Sequence, residues 1–163
     1  MSEQSIHFRI KTLKEDENNI RDIVTSTGFF NQEEIDIAVE LVTENLQKGE
    51  EVSGYHFIFA EIDDKTAGYS CFGPIPATKL SYDLYWIAVH ENNRGMGIGK
   101  KLLAESENAI KKMGGQRVYI ETSSRAQYDP TRAFYTGCNY ETAAILEDFY
   151  APGDSKYIFL KVL

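Results

Sequence analysis

Hydrophobic and polar positions follow two different rhythms along the chain, and the first of them is that of a strand. Ile6, Phe8 and Ile10 alternate with polar residues, as expected for a strand with one buried face. Residues 13–26 then carry apolar side chains at helical spacing, although this apolar face is weak. The N-terminal segment therefore predicts a strand followed by a helix.

A second helix is predicted more clearly after the glycine and two phenylalanines at 28–30. Asn31 is placed to cap this helix, and Glu34, three residues later, completes a capping box. The apolar face then repeats at helical spacing as far as Leu46. We expect Gly49 to end the helix, because glycine is the residue that most readily adopts a left-handed helix end.

The rest of the chain alternates between strand-like and helix-like segments. Strands are predicted over 55–62, 67–72, 82–89, 117–122, 143–149 and 157–162. Segment 82–89 is apolar on both faces and is expected at the centre of the sheet. Helices are predicted over 98–113 and from Asp129, as an N-cap before Pro130, to about residue 136. The order β-α-α-β-β-β-α-β-α-β-β indicates an α/β (α+β) fold in one domain, 1–163, with a mixed sheet flanked by helices.

Composition narrows the class of function. The chain has 163 residues and a formal net charge of −8, which disfavours nucleic acid as a partner. It has two cysteines and no secretory apolar segment near its N terminus, so we expect a cytoplasmic, reduced protein. No apolar run approaches the ~20 residues that span a bilayer, so no membrane association is expected.

The most distinctive local feature is the glycine-rich run Arg94-Gly95-Met96-Gly97-Ile98-Gly99, which joins predicted strand 82–89 to predicted helix 98–113. Glycine lets the backbone approach a ligand closely, and the free N–H groups at a helix N-terminus attract an anion. Lys100 adds a positive side chain to the same turn. The run therefore predicts a site for the phosphate or pyrophosphate of a nucleotide-like ligand.

Three kinds of glycine turn compete for this run. A P-loop fails at two positions, because Arg94 replaces its first glycine and Lys101 replaces the serine or threonine that binds magnesium. A dinucleotide-binding turn fits Gly95 and Gly97, but its third glycine falls on Lys100. The third pattern, R/Q-x-x-G-x-G/A, fits at every position.

The third pattern and a second motif resemble the GNAT acetyltransferase superfamily. The second motif lies downstream, where Phe134 and Tyr135 match the family's Phe-Tyr pair. Asn139 and Tyr140 replace the family's later Gly-Phe, and asparagine is the residue other than glycine that best tolerates a left-handed helix end. The order of elements also resembles the family along nearly the whole chain.

The resemblance implies acetyl-CoA as co-substrate, with no metal ion. It implies that the pyrophosphate binds the backbone N–H groups of the turn and that the pantetheine arm pairs with the preceding strand. The implied coenzyme-binding residues are Ile87, Ala88, Val89, Arg94, Gly95, Met96, Gly97, Ile98, Gly99 and Lys100. Ile87 N–H is expected to polarise the thioester carbonyl, and Tyr135 matches the family's general acid.

The general base stays open between two carboxylates and a water chain. Glu121 matches the position that some members use, and Asp83 matches the position used by others. Strand alternation places Asp83 on one face with Tyr85, Ile87 and Val89, in an aromatic cleft that would raise its proton affinity. Either carboxylate could instead be a structural ion-pair partner.

The resemblance also implies where the acceptor binds. Phe29, Phe30, Tyr82 and Tyr128 are the expected substrate contacts, although Phe29 and Phe30 could simply anchor the first two helices. Tyr128 stands where members often have an asparagine that contacts the coenzyme. These aromatic and acidic groups favour a small-molecule amine or amino-acid derivative as acceptor.

A non-catalytic acyl-CoA-binding module and a nicotinamide-dependent oxidoreductase remain as alternative functions. A homodimer through the C-terminal strands is expected by analogy alone.

Overall fold

The computed structural model describes residues 4–163 and has the predicted order of elements. The strands are β1 His7–Arg9, β2 His56–Ile62, β3 Lys65–Pro74, β4 Ser81–Val89, β5 Arg117–Ser123, β6 Glu141–Ala151 and β7 Asp154–Val162. The helices are α1 Asp16–Ser26, α2 Gln32–Ser53, α3 Ile98–Lys112 and α4 Asp129–Gly137. Short 3₁₀ turns at 91–93 and 126–128 precede α3 and α4.

All seven strands form one sheet, in the order β1-β2-β3-β4-β5-β7-β6. Every neighbouring pair is antiparallel except β4 and β5, which are parallel because α3 connects them as a crossover. The expected mixed, mostly antiparallel sheet is therefore confirmed, and β4 is central. The glycine-rich turn lies between the end of β4 and the start of α3, where this crossover begins.

Helices cover both faces of the sheet and divide the hydrophobic core in two. One core packs α1 and α2 against β2, β3 and β4, with Ile20, Val42 and Phe59 fully buried. The other packs α3 and α4 against the opposite face, with Leu102, Leu103 and Tyr135 buried. The side chains of β4 must therefore alternate between two well-packed layers.

The capping box predicted for α2 is present, and the helix is interrupted at Gly49, where its end was predicted. The Asn31 side chain accepts a hydrogen bond from Glu34 N, and Glu34 Oε2 accepts one from Asn31 N, each 2.9 Å long. Gly49 has φ of +79° and ψ of 167°, which breaks the regular helix, and a short helical segment then follows as far as Ser53. Gly54, with φ of +74°, is the cap that ends it.

The first turn of α4 also differs from the sequence prediction. Asp129 is already helical, so Tyr128 takes the capping position, and the Asp129 carboxylate accepts a hydrogen bond from Arg132. At the other end Asn139 has φ of +70°, which confirms the predicted left-handed position. This short helix holds Phe134 and Tyr135 against the sheet.

A β-bulge at Tyr85 changes the face on which the β4 side chains lie. Cys71 pairs with Trp86 and Phe72 pairs with Leu84, so Tyr85 is an extra residue on β4. Before the bulge, Leu84 packs in the α3 and α4 core; after it, Ile87 packs there instead. The predicted common face of Asp83 with Ile87 and Val89 is therefore wrong, because one inserted residue reverses the alternation.

Candidate active site

The candidate site is the gap that opens where β4 and β5 separate. Their pairing runs only from Ser81 and Arg117 to Asp83 and Tyr119, after which the strands diverge. A cavity of about 530 Å³ occupies the gap. Its wall comprises Thr27, Phe29, Phe30, Glu34, Tyr85, Trp86, Ile87, Ala88, Val89, Arg94, Glu121, Thr122, Ser123, Arg125, Tyr128, Thr131, Tyr135, Tyr150 and Asp154.

The edge of β4 presents unused backbone groups to this gap. Just after β4, the N–H of His90 donates a 2.8 Å hydrogen bond to the carbonyl oxygen of Ala67 on β3. In an antiparallel pair, alternate residues bond the partner strand, so Ala88 bonds β3 while Ile87 and Val89 direct their N–H and C=O groups to the other side. That other side faces the gap, because β5 has already diverged. An extended ligand can therefore pair with β4 as an added strand.

The glycine-rich turn lies at the end of the same edge and is rich in free donors. Gly95 and Gly97 have φ of +78° and +74°, in the left-handed region that favours glycine. Among the described residues, none accepts a hydrogen bond from the backbone N–H groups of 95–100. Ile98 buries its side chain in the core at 1% exposure, so only its N–H is available to a ligand. Together with the α3 dipole, these donors form an anion site.

Tyr135 reaches the cavity from α4 and is held rigidly. Its side chain is 5% exposed and packs against Phe134, Tyr140 and Phe159, with ring centroids 5.5 to 6.0 Å apart. Among the described residues, no side-chain hydrogen bond affects the pKa of its hydroxyl. Burial raises the pKa of Tyr135 well above its ordinary value, so the phenol remains protonated and can donate a hydrogen bond.

The two candidate base residues occupy different electrostatic settings. Asp83 is half-buried, and burial, followed by the negative charge of Glu121, raises its pKa to about 6. Glu121 lies in the cavity wall, and its Oε2 is 2.7 Å from Lys156 Nζ. Asp83 does not line the cavity itself, but Tyr85 does, and burial together with the charge of Asp83 raises the pKa of Tyr85 to about 12. The two carboxylates are thus electrostatically coupled, although only Glu121 lies in the cavity wall.

Aromatic side chains form the other end of the cavity. Phe29, from the α1–α2 connection, stacks on Tyr128 with ring centroids 6.5 Å apart, so the two span the gap. Phe30 instead packs edge-on against Trp86 at 5.0 Å and is partly buried in the α1 and α2 core. Phe29 and Tyr128 therefore face the cavity, whereas Phe30 serves both the cavity and the core.

Tyr82, predicted as a substrate contact, is not among the residues that line this cavity. It is 8% exposed within the α3 and α4 core. Its ring lies so close to Gly115 that a Cβ there would be 2.7 Å from it. Tyr82 packs in the α3 and α4 core together with Leu84, and its ring lies against Gly115 just after α3 rather than in the gap.

Comparison with known proteins assigns the chain to a family. Residues 18–140 match the acetyltransferase (GNAT) family. The chain belongs to this family. A crystal structure assigned to the GNAT family, from Desulfovibrio desulfuricans, is 45% identical, with a TM-score of 0.95 over 97% of this chain and 99% of that one. The resemblance inferred from the two motifs is confirmed.

Two further known proteins are similar to this chain, one over a shorter stretch and the other at lower sequence identity. An N-alpha-acetyltransferase of Sulfurisphaera tokodaii is 29% identical over 112 residues, which cover 63% of this chain and 66%, slightly less than two thirds, of that relative. The PaiA N-acetyltransferase of Thermoplasma acidophilum, solved in complex with coenzyme A, has a TM-score of 0.70 at 18% identity, covering 98% of this chain and 99% of that one. The second likeness is one of fold alone.

Membership of the GNAT family decides between the classes left open by the sequence. The family is one of acyltransferases, so the oxidoreductase alternative is set aside.

No helix within residues 4–163 is long and apolar enough to cross a membrane. Cys71 and Cys138 are both free thiols.

Several residues of this GNAT cavity were missed by the motifs. Trp86, Thr122, Arg125 and Asp154 line the wall, and Lys156 pairs with Glu121 behind it. Trp86 and Thr122 lie on segments predicted as strands, but their faces depend on the bulge and on the divergence of β4 from β5. Lys156 and Asp154 come from β7, which reaches the site only through its pairing with β5.

Proposed function

We propose that this GNAT protein transfers the acetyl group of acetyl-CoA directly to a primary amine of a small molecule or amino-acid derivative. The observation that carries the proposal is one cavity that joins an anion-binding turn, an unpaired strand edge, a buried phenol and an acidic wall. Each of these parts serves a different portion of such a reaction. No other cavity described within residues 4–163 joins them.

The residues at the gap fit the coenzyme. The free N–H groups of 95–100 suit its pyrophosphate, with the side chains of Arg94 and Lys100 close to the turn. The outward N–H and C=O groups of Ile87 and Val89 suit the amides of its pantetheine arm. The N–H of Ile87 would then stabilise negative charge on the thioester oxygen.

The chain supplies a proton acceptor and a hydrogen-bond donor for the reaction. Acetyl-CoA provides an activated acetyl group as a thioester. Asp83, through a water molecule, takes a proton from the ammonium group so that the neutral nitrogen can attack the carbonyl carbon. As the carbon–sulfur bond breaks, Tyr135 transfers its hydroxyl proton to the departing sulfur, and it recovers a proton from the nitrogen that has become the amide. The amine becomes an amide, and the thiol of coenzyme A is released.

The acceptor end of the cavity suits a cationic amine with an apolar portion. Glu34, Glu121 and Asp154 provide negative charge, while Phe29 and Tyr128 provide aromatic faces. Aromatic rings also attract cations directly. A second acceptor class, the α-amine of a peptide N-terminus, is favoured by the similarity to the Sulfurisphaera protein, which is an N-alpha-acetyltransferase.

A screen of acceptors against acetyl-CoA tests the proposal. We expect one structurally related set of small primary amines to cause release of the coenzyme A thiol, which a thiol-reactive dye detects. The matching N-acetylated compounds should cause no release. Peptides with free N-termini in the same screen decide between the two acceptor classes. Binding of coenzyme A without thiol release from any amine or peptide would instead indicate the non-catalytic module.

Replacing Gly97 with alanine should weaken coenzyme binding more than it weakens the fold. Alanine in the left-handed conformation costs about 1–2 kcal/mol, and relief of that strain would turn the free N–H groups away from the anion. We expect the Kd of coenzyme A, measured by calorimetry, to rise about tenfold or more. Gly114→Ala is the matched control, because Gly114 has φ of +92° at the other end of α3. It should lose similar stability and keep its affinity; equal losses of affinity in both variants would contradict the assignment.

A further inference from the structure

Thr122 carries a buried hydroxyl without a partner in the wall of the cavity. The residue is 7% exposed, and its Oγ1 finds no hydrogen-bond partner among the described residues. It lies on β5 three residues after the last pair with β4, where the strands have separated. A buried hydroxyl that makes no hydrogen bond costs about 1–3 kcal/mol, so folding alone does not account for threonine at this position.

The position of Thr122 indicates which part of a ligand would complete its hydrogen bonding. Val118 and Ile120 alternate with Thr122 on β5 and pack in the same core as Tyr135, so Thr122 is on the α4 side of the gap. Across the gap, Ile87 and Val89 present unpaired N–H and C=O groups from β4. A group between the two strands therefore meets a backbone edge on one side and the threonine hydroxyl on the other.

An amide is the chemical group that fits both sides. It has an N–H and a C=O in one plane, so it can pair with a strand edge and still exchange a hydrogen bond with a hydroxyl, which is both donor and acceptor. We propose that Thr122 Oγ1 hydrogen-bonds an amide of the pantetheine arm and thereby contributes to recognition of the coenzyme. This proposal rests on the proposed function, because it requires acetyl-CoA in the gap.

The test combines affinity with thermal stability in Thr122→Val, which has the same shape without the hydroxyl. The Kd of coenzyme A, measured by calorimetry, should rise about three- to tenfold, as for loss of one hydrogen bond. The unliganded variant should melt about 2–4 °C higher, because an unpaired buried hydroxyl has been removed. Thr122→Ser keeps the hydroxyl and should keep the affinity, and Thr122→Ala should repeat the loss.

Two controls show whether the effect of Thr122→Val resides in the contact with the pantetheine arm. Tyr69→Phe removes the other orphaned buried hydroxyl, which is in the α1 and α2 core, and should raise the melting temperature without changing affinity. Adenosine 3′,5′-bisphosphate lacks the pantetheine arm, so Thr122→Val should bind it as the wild type does.

The outcomes distinguish this proposal from the proposed function. If the wild type binds coenzyme A and Thr122→Val binds it equally well, the hydroxyl has no role in recognition and the inference fails alone. An equal loss of affinity for adenosine 3′,5′-bisphosphate would also overturn it, because the effect would then not reside in the pantetheine arm. A wild type that binds no coenzyme A would overturn both.

Discussion

Replacing Tyr135 with phenylalanine should lower kcat about 10²- to 10³-fold while leaving the Kd of coenzyme A nearly unchanged. The ring would remain packed against Phe134, Tyr140 and Phe159, so the loss is confined to the hydroxyl. That hydroxyl stays protonated because burial raises the pKa of Tyr135, and it is free to donate to the sulfur as the thioester breaks. Positioned proton donors of this kind contribute about 10²- to 10⁴-fold. Thiol release under saturating amine and acetyl-CoA measures the effect.

The same aromatic cluster offers a matched control. Tyr140 packs against Tyr135, but its hydroxyl donates to Glu107 Oε2 at 3.0 Å on the side of α3, away from the cavity. Tyr140→Phe therefore removes a phenol hydroxyl from the same cluster and should retain kcat. If Tyr135→Phe were as active as Tyr140→Phe, Tyr135 would have no part in the chemistry and a water molecule would have to protonate the sulfur.

Asp83→Asn should abolish the acid limb of the pH profile and lower kcat/KM about 10²- to 10⁴-fold at neutral pH. In the wild type we expect kcat/KM to increase as the pH rises through about 6, because burial raises the pKa of Asp83 to about that value and only its ionised form accepts a proton. Asparagine cannot ionise, so the residual activity should not change with pH in that range. Initial rates between pH 5 and 8 measure both effects.

Glu121→Gln distinguishes the two carboxylates. The charge of Glu121 helps to raise the pKa of Asp83, whereas Lys156 lowers it, so removing the charge of Glu121 should move the acid limb to lower pH without abolishing it. If Glu121 were itself the base, Glu121→Gln would remove the limb and Asp83→Asn would retain one. The two profiles thus have opposite forms under the two assignments.

The raised pKa of Asp83 also predicts how stability depends on pH. A carboxyl whose pKa is higher in the folded state binds protons more tightly there than in the unfolded chain, for which the ordinary value is 3.8. The free energy of unfolding should therefore fall as the pH rises from about 4 to 6, by the contribution of this group. Asp83→Asn lacks that contribution, so it should gain stability over the wild type at pH 7 and not at pH 4. Urea unfolding at the two pH values measures the difference.

Local patterns predicted much of the fold because each depends on a few neighbouring residues. The capping box of Asn31 and Glu34 and the left-handed conformation of Asn139 are properties of single turns, and both are present. Gly49 is likewise non-helical, as predicted. The short helical segment that follows it to Ser53, with Gly54 as its cap, was not predicted.

The faces of β4 could not be predicted from alternation. From Leu84 to Val89 every residue is aliphatic or aromatic, so the sequence shows no change in the alternation of apolar and polar residues at Tyr85 that would reveal the inserted residue. The bulge is visible only in the pairing with β3, where Phe72 faces Leu84 and Cys71 faces Trp86. It explains why Tyr82 is buried beneath α3 and why Asp83 and Ile87 lie on different faces of the sheet.

By itself, the sequence determined the family and singled out the glycine-rich turn and Tyr135 as candidate site residues, because two short motifs keep their spacing along the chain. Only the tertiary structure decided which side chains meet in the gap. Lys156 reaches Glu121, and the hydroxyl of Thr122 remains unpaired, because β7 pairs with β5 while β5 diverges from β4. Contacts of this kind depend on strand pairing between distant segments, which the periodicity of any one segment does not encode.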